Sequence, residues 1–137
     1  MIKIIYSIFL TCFVFFIFSC ADGIVSECPD DSSPVVRATF SSIQSEVFDK
    51  SCAGSDCHGG TNPSAGLRLA GINSYDNIVN KEVFGMMLVK PGASEESYLF
   101  ARISSDITSL QMPPTGKLPR SVIDSIRVWI DNGALNN

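Results

Sequence analysis

The residues best suited to chemistry lie in one short stretch, 52–60, where two cysteines are followed at once by a histidine. Four residues separate Cys52 from Cys57, and His58 is next to the second thiol. Two such thiols can add across the vinyl groups of a haem, and the adjacent imidazole can then ligate the iron. The usual motif has two intervening residues, so a spacing of four is a weaker signal. The stretch predicts a covalent c-type haem with His58 as proximal ligand.

Other interpretations of the same residues stay open. Cys52 and Cys57 could form a disulfide, contribute to a zinc site, or be unrelated thiols. Zinc is the poorest of these, because tetrahedral ligation by the adjacent Cys57 and His58 is awkward. His58 is the only histidine of the chain, which excludes a two-histidine metal site and bis-histidine haem ligation within one subunit. The second iron ligand must therefore be Met, Lys or another atom type, or the position is empty.

Met112 is the predicted second iron ligand. It precedes Pro113 and Pro114, which exclude helix and stiffen the backbone that presents the thioether. Met86 and Met87 are rivals, but their apolar run is typical of core. A thioether ligand stabilises ferrous iron and raises the reduction potential relative to two histidines.

Composition limits the classes of function. The 137-residue chain has a formal net charge of −4 and no basic stripe, which argues against nucleic acid as a partner. It contains no Gly-x-Ser-x-Gly elbow and no phosphate-binding loop, so nothing indicates a hydrolase or transferase. With the haem predicted above, we expect an electron carrier rather than an enzyme, with redox proteins as partners and catalytic haem activity left open.

The N-terminus reads as a secretory signal. Lys3 precedes an apolar run over 4–18, which is shorter than the roughly 20 residues that span a membrane. The run ends in Ile-Phe-Ser-Cys, which resembles a bacterial lipobox with Cys20 as the lipidated residue. An uncleaved anchor is the alternative. Either arrangement places the domain in an oxidising extracytoplasmic space, on the periplasmic or outer-surface face of a membrane.

Three segments are expected along the chain. Residues 1–19 form the signal peptide, 20–38 a flexible spacer to the lipid, and 39–137 the haem domain. Cys28 falls in the spacer, and the sequence gives it no partner.

Helices are expected to position the site. An apolar face recurs from about Ser41 to Lys50, with Ser41 and Gln44 as a capping box, and leads directly into Cys52. A last helix is predicted from about Pro119 to Asp131, and the two should pack across one another. Shorter helices are expected over 74–82 and after Ser94. The predicted fold class is all-α.

The loop after His58 is rich in glycine and cannot be regular structure. Its glycines should let the backbone approach the porphyrin, and one of its carbonyls could accept the Nδ1–H of His58. Leu67 and Leu69 alternate around Arg68, so both leucines should face one side, as pocket wall or as core. Arg68 is a candidate partner for a haem propionate.

The order of these pieces resembles the planctomycete-type cytochrome c domain, a branch of the class I-like monohaem cytochromes. The pieces are Cys-x4-Cys-His-Gly-Gly, Gly-Leu-Arg-Leu, Val-Lys-Pro-Gly, Ser-Tyr-Leu-Phe-Ala-Arg-Ile, Met-Pro-Pro-Thr-Gly-Lys-Leu and Ile-Arg-Val-Trp-Ile-Asp-Asn-Gly-Ala, over roughly 40–135. The resemblance implies one haem c on Cys52 and Cys57, with His58 as proximal and Met112 as distal ligand. It also implies a small cytochrome c-like helical domain wrapped around that haem.

Three functions remain in view. The first is a lipid-anchored c-type cytochrome that transfers single electrons. The second is a haem-free envelope lipoprotein for binding or structure, with a Cys52–Cys57 disulfide. The third is a haem-based sensor or peroxidase, which would need an open iron position, although no second histidine exists to act as a distal base.

Overall fold

A computed structural model describes residues 35–137. The predictions for the signal peptide, for lipidation of Cys20, for Cys28 and for most of the spacer lie outside the described residues. Within 35–137, no helix has both the length and the apolar character needed to cross a membrane.

The first helix carries the chain to Cys52, as the apolar periodicity predicts. It begins as α1 (Phe40–Ile43) and continues without a break as a π-helix over Gln44–Cys52. Thr39 caps the N-terminus by accepting a hydrogen bond from the backbone N–H of Ser42 at 3.4 Å. The predicted Ser41–Gln44 capping box is therefore wrong, because the Gln44 amide instead donates to the Leu69 carbonyl at 2.9 Å.

The remaining helices are short except for the last. They are α2 (Ser74–Ile78), α3 (Tyr98–Ser104) and α4 (Arg120–Asp131), with single 3₁₀ turns at Ser64–Gly66 and Ser94–Glu96. The helix predicted over 74–82 ends early because Val79 turns extended and bridges Val89 in parallel. Pro119 lies at the N-cap of α4 rather than in its first turn.

A small antiparallel hairpin corrects the predicted fold class. Strands β1 (Glu82–Val83) and β2 (Met86–Met87) pair directly across a two-residue turn. The turn residues Phe84 and Gly85 both have positive φ, 53° and 76°, as a type I′ hairpin turn requires. The domain is thus short helices, one hairpin and long irregular segments, and the all-α expectation is wrong.

The core gathers around Phe40 of α1. Its ring centroid lies 5.0 Å from that of Tyr75, 5.7 Å from that of Trp129 on α4, and 6.4 Å from that of Phe48. The first and last helices therefore meet through aromatic side chains. The apolar stripe of α4 is fully buried beside this cluster and consists of Val122, Ile123, Ile126, Trp129 and Ile130.

Asn137, the last residue of the sequence, caps the first helix. The Asn137 side chain accepts a hydrogen bond from the Phe40 N–H at 3.0 Å, and its backbone carbonyl accepts one from Ser41 at 2.8 Å. Both donors belong to the first turn of α1, where backbone N–H groups have no intrahelical acceptor. The contact ties the end of the chain to the helix that leads into the site.

Candidate functional site

One cavity of about 270 Å³ brings the predicted site residues together. Its wall includes Cys52, Cys57 and His58 from one short stretch, and Met112, which follows His58 by 54 residues in the chain. Most of the remaining wall is apolar and comes from the π-helix, the segment after the glycine loop, the hairpin, α3 and α4. Representative side chains are Val47, Phe48, Leu67, Leu69, Leu99 and Ile126.

The segment between the two cysteines folds back on itself. The π-helix ends at Cys52, and the next backbone N–H, that of Ala53, donates to Phe48 at 2.7 Å. The His58 N–H then donates to the Cys52 carbonyl at 3.0 Å, and the Cys57 N–H to Gly54 at 3.0 Å. These bonds close the four residues between the cysteines into a tight loop. Both thiols therefore reach the wall of the cavity despite the longer spacing.

The two glycines after His58 serve the chain's own backbone. A Cβ at Gly59 would stand 2.0 Å from the Ala53 carbonyl oxygen, and one at Gly60 would stand 2.2 Å from the Ser55 oxygen. No side chain fits at such distances. The sequence predicts that these glycines let the backbone approach the porphyrin. In the structure they instead let the Ala53 and Ser55 carbonyls pack closely against them.

The tautomer of His58 follows from its hydrogen bond. Its Nδ1 lies 3.1 Å from the Leu67 carbonyl oxygen, and because a carbonyl can only accept, Nδ1 carries the proton. In the neutral imidazole, the other ring nitrogen, Nε2, is then the one with a lone pair for a metal. The predicted carbonyl partner exists, one residue beyond the glycine loop. His58 is half-buried, and its backbone is also held, because its carbonyl oxygen accepts a hydrogen bond from the Leu69 N–H at 2.8 Å.

Leu67 and Leu69 both line the cavity, and Arg68 between them points elsewhere. The Arg68 guanidinium donates to the carbonyls of Gly59 at 3.1 Å and Gly60 at 2.7 Å. It therefore braces the glycine loop and does not line the cavity. The expected pairing of Arg68 with a haem propionate has no support in this arrangement.

Met112 is placed at the cavity by its backbone. Its N–H donates to the Arg102 carbonyl at 2.9 Å, its peptide bond to Pro113 is cis, and the segment is not helical. Of the methionines within 35–137, Met112 lines the cavity, whereas Met86 and Met87 do not. Met86 is exposed at the hairpin rather than packed in the core.

The two thiols have different surroundings. Both are free, Cys57 exposed and Cys52 half-buried. Burial, and to a smaller extent the charge of a Cys57 thiolate, raises the pKa of the Cys52 thiol to about 11. Because a thiolate is the reactive form, the Cys52 thiol is less reactive than an exposed thiol in this arrangement.

The donor set fits a haem. An apolar wall carries one imidazole with a free Nε2, one thioether and two thiols, which are the groups that hold a c-type haem. Among residues 35–137, no three His, Cys, Asp or Glu side chains come together to hold a bare metal ion.

Sequence reasoning missed Arg102, which among residues 35–137 is the only lysine or arginine in the cavity wall. Its guanidinium donates to the Tyr98 hydroxyl at 2.8 Å and to the Leu110 carbonyl. The available signal was the spacing of Tyr98 and Arg102, which are i and i+4 on one helix and therefore neighbours on its surface. That spacing alone does not say which cavity the pair faces.

Part of the chain matches a known protein family. Residues 55–116 match a family model described as Planctomycete cytochrome C. The matched range contains Cys57, His58 and Met112, and it begins three residues after Cys52. Searches of curated proteins and of solved structures give no match.

Proposed function

We propose, from the premise that residues 55–116 form a planctomycete-type cytochrome c domain, that this protein carries single electrons through one covalently attached haem. Cys52 and Cys57 would form the thioethers, and His58 and Met112 would ligate the iron. A bound haem supplies an iron that exchanges one electron between its ferrous and ferric states.

The observation that carries the proposal is the hydrogen bond from His58 Nδ1 to the Leu67 carbonyl. It fixes the tautomer that leaves Nε2 bare, on a wall that also contains both thiols and the Met112 thioether. The same bond increases the electron density on Nε2 and so strengthens the imidazole as a ligand. A histidine that serves only as core has no need of an unprotonated nitrogen at an apolar cavity.

The other residues of the wall would support electron transfer through packing. Leu67 and Leu69 form apolar wall that excludes water, so little solvent needs to reorganise when the charge of the site changes. The braced glycine loop and the proline-flanked Met112 hold the two ligands in place in both oxidation states. The Met112 thioether favours the ferrous state and raises the reduction potential.

The test is haem attachment. The full chain is expressed with c-type haem maturation machinery, denatured, and examined by haem staining and by oxidised and reduced spectra. We expect haem that stays with the denatured chain and a far-red charge-transfer band of a ferric iron–Met bond. Absence of covalent haem would contradict the proposal. Thiol titration would then test the haem-free alternative with a Cys52–Cys57 disulfide.

Single cysteine variants separate the two thioethers. The pyridine haemochrome spectrum depends on how many vinyl groups remain unsaturated, so Cys52→Ser and Cys57→Ser should each give a spectrum with one free vinyl. The double variant should retain no haem after denaturation. A wild-type spectrum in Cys52→Ser would remove Cys52 from the attachment site and leave Cys57 alone, as the start of the family match at residue 55 would allow.

Carbon monoxide separates an electron carrier from a haem sensor or peroxidase. A carrier with Met112 on the iron should bind carbon monoxide slowly in the ferrous state, because the thioether must leave first. Rapid and complete binding by the wild-type protein would favour the sensor or peroxidase instead.

Membrane attachment through Cys20 is proposed from the sequence alone. The lipobox-like Ile-Phe-Ser-Cys segment supports cleavage before Cys20 and acylation of its thiol. Fatty-acid labelling of the wild-type protein and of Cys20→Ser tests this, with Cys28→Ser as the matched control. Label that persists in Cys20→Ser and is lost in Cys28→Ser would transfer the anchor to Cys28.

A further inference from the structure

We propose that Arg102 is a positioning residue that holds the Met112 segment against α3 and thereby keeps the thioether on the iron. The inference rests on the proposed function, since it presupposes a haem with Met112 as ligand. Its basis is that one residue contacts the Met112 segment at two points, once through its backbone and once through its guanidinium.

The backbone contact uses a carbonyl at the end of a helix. Arg102 lies in the last turn of α3 (Tyr98–Ser104), where carbonyl oxygens have no intrahelical donor. The Met112 N–H donates to the Arg102 oxygen at 2.9 Å. Any residue at position 102 would offer this carbonyl, so the contact anchors Met112 without explaining why arginine is there.

The side-chain contact is specific to arginine. The Nε–H donates to the Leu110 carbonyl, two residues before Met112, while Nη1 donates to the Tyr98 hydroxyl at 2.8 Å. The guanidinium carbon also lies 5.4 Å from the Tyr98 ring centroid, a cation–π distance. Tyr98 thus fixes the guanidinium, and the guanidinium fixes Leu110. A lysine cannot make both hydrogen bonds in one plane.

The segment between α3 and α4 has no regular structure to hold it. It runs from Ser105 to Pro119 as turns and bends, and Ile107 and Leu110 are exposed. With the guanidinium removed, the Leu110 carbonyl loses its donor and Met112 is held by a single backbone bond. The thioether should then leave the iron more often, which exposes the iron to external ligands.

A charge effect must be separated from positioning. Arg102 is a cation in the wall of the cavity, and a cation near the iron would by itself favour the ferrous state. Arg102→Lys keeps the charge but not the two-point hydrogen bonding, and Arg102→Gln removes both. If Arg102 acts only by charge, the lysine variant behaves as wild type. If it acts by positioning, both variants change.

The experiment uses the full haem-loaded chain. It compares wild type, Arg102→Lys, Arg102→Gln and Tyr98→Phe by haem content, the far-red iron–Met band, the reduction potential and the rate of carbon monoxide binding. Arg127→Lys and Arg127→Gln are matched controls, because Arg127 pairs with Asp124 on α4 at 3.1 Å and does not line the cavity.

In both Arg102 variants we expect the iron–Met band to weaken and carbon monoxide binding to accelerate by about tenfold, the factor that one charge-assisted hydrogen bond is worth. Tyr98→Phe should accelerate it less, and the Arg127 variants should match wild type. A wild-type band and rate in both Arg102 variants, or in the lysine variant alone, would overturn the proposal.

Two outcomes keep this result separate from the proposed function. A wild-type protein without covalent haem, or without an iron–Met band, ends the proposed function before Arg102 is tested. If the Arg102 variants lose their haem, Tyr98→Phe decides: faster carbon monoxide binding supports positioning, and an unchanged rate overturns it.

Discussion

His58 and Met112 are each oriented by a backbone carbonyl of another segment. The imidazole donates from Nδ1 to Leu67, and the Met112 N–H donates to Arg102. Backbone groups move only with the segments that carry them, so the His58 ring and the Met112 backbone are held more firmly than by side-chain partners. This arrangement is suited to a site that must change charge with little change of geometry.

At the residue scale, Met112→Ala should leave the haem attached and lower its reduction potential. The loss of a thioether that favours ferrous iron predicts a fall on the order of 100 mV, within the roughly 0.8 V range that axial ligands cover. Redox titration measures it. Met86→Ala is the matched control, because Met86 is exposed and outside the cavity wall. An unchanged potential in Met112→Ala would remove Met112 from the ligand role.

A second prediction at this scale concerns Asp106. The Lys117 ammonium donates a hydrogen bond to this carboxylate and adds an attractive charge, which lowers the pKa of Asp106 below its ordinary 3.8. The folded pKa lies below the unfolded one. The stabilisation is therefore present above the unfolded pKa and is lost as pH falls through the folded pKa.

An NMR titration of the Asp106 carboxyl measures this effect. The pKa should rise toward its ordinary value in Lys117→Gln, and also in high salt, because the pair is exposed and screened. Lys81→Gln removes the same charge from another segment and should leave the Asp106 pKa unchanged. Equal values in wild type and Lys117→Gln would show that the ion pair does not form in solution.

At the element scale, the loop from Cys52 to Gly60 sets the distance between the thiols. Gly60→Ala would put a Cβ about 2.2 Å from the Ser55 oxygen, so the loop must open. Gly54→Ala is the matched control in the same loop, since its Cβ would meet only the Cys57 side chain, with Sγ at an ordinary 3.6 Å. We expect Gly60→Ala to lose most covalent haem and Gly54→Ala to retain it, as measured by haem stain per chain. Equal haem content in the two variants would contradict this role of the loop.

The sequence predicts the long amphipathic elements well and the short irregular ones poorly. The apolar stripes of the first and last helices place both within a residue or two of their observed positions. The hairpin was missed because Phe84 is an unusual residue for a position with positive φ, and only Gly85 signalled the turn. The all-α expectation failed at that point.

The sequence predicts which residues form the candidate site, but it does not predict the groups that hold those residues in place. Cys57, His58 and Met112 are recognised by what their atoms can bind and by their neighbours in sequence. The Leu67 carbonyl and the Arg102 guanidinium act through contacts between segments, and such contacts leave no periodic pattern. Arg68 shows the reverse case, since a plausible side chain for the cavity instead braces the glycine loop.

At the scale of the whole molecule, the cavity is a gap in the apolar core. Its walls come from the π-helix, the hairpin, α3 and α4. The cavity is partly open to solvent, so its apolar wall faces water unless a group covers it, and that exposure is unfavourable. A domain of this size has a total stability of only about 5–15 kcal/mol. We therefore expect a group that covers this wall to contribute to the stability of the fold.

The last prediction is that the chain without haem loses its fixed packing. Cys52→Ser/Cys57→Ser should keep part of its helical far-ultraviolet signal but lose near-ultraviolet dichroism and a cooperative melting transition. Trp129, the only tryptophan, is 1% exposed and donates to the Leu135 carbonyl at 2.8 Å. Its emission should therefore shift to the red as the core loosens.

The single variants Cys52→Ser and Cys57→Ser are the controls, since each can retain haem through one thioether and the iron ligands. They should melt cooperatively, below wild type and well above the double variant. A double variant that melts cooperatively at the wild-type temperature, with buried Trp129 emission, would show that the polypeptide closes the cavity unaided. The haem would then contribute little to the stability of the fold, and the apolar wall would serve electron transfer alone.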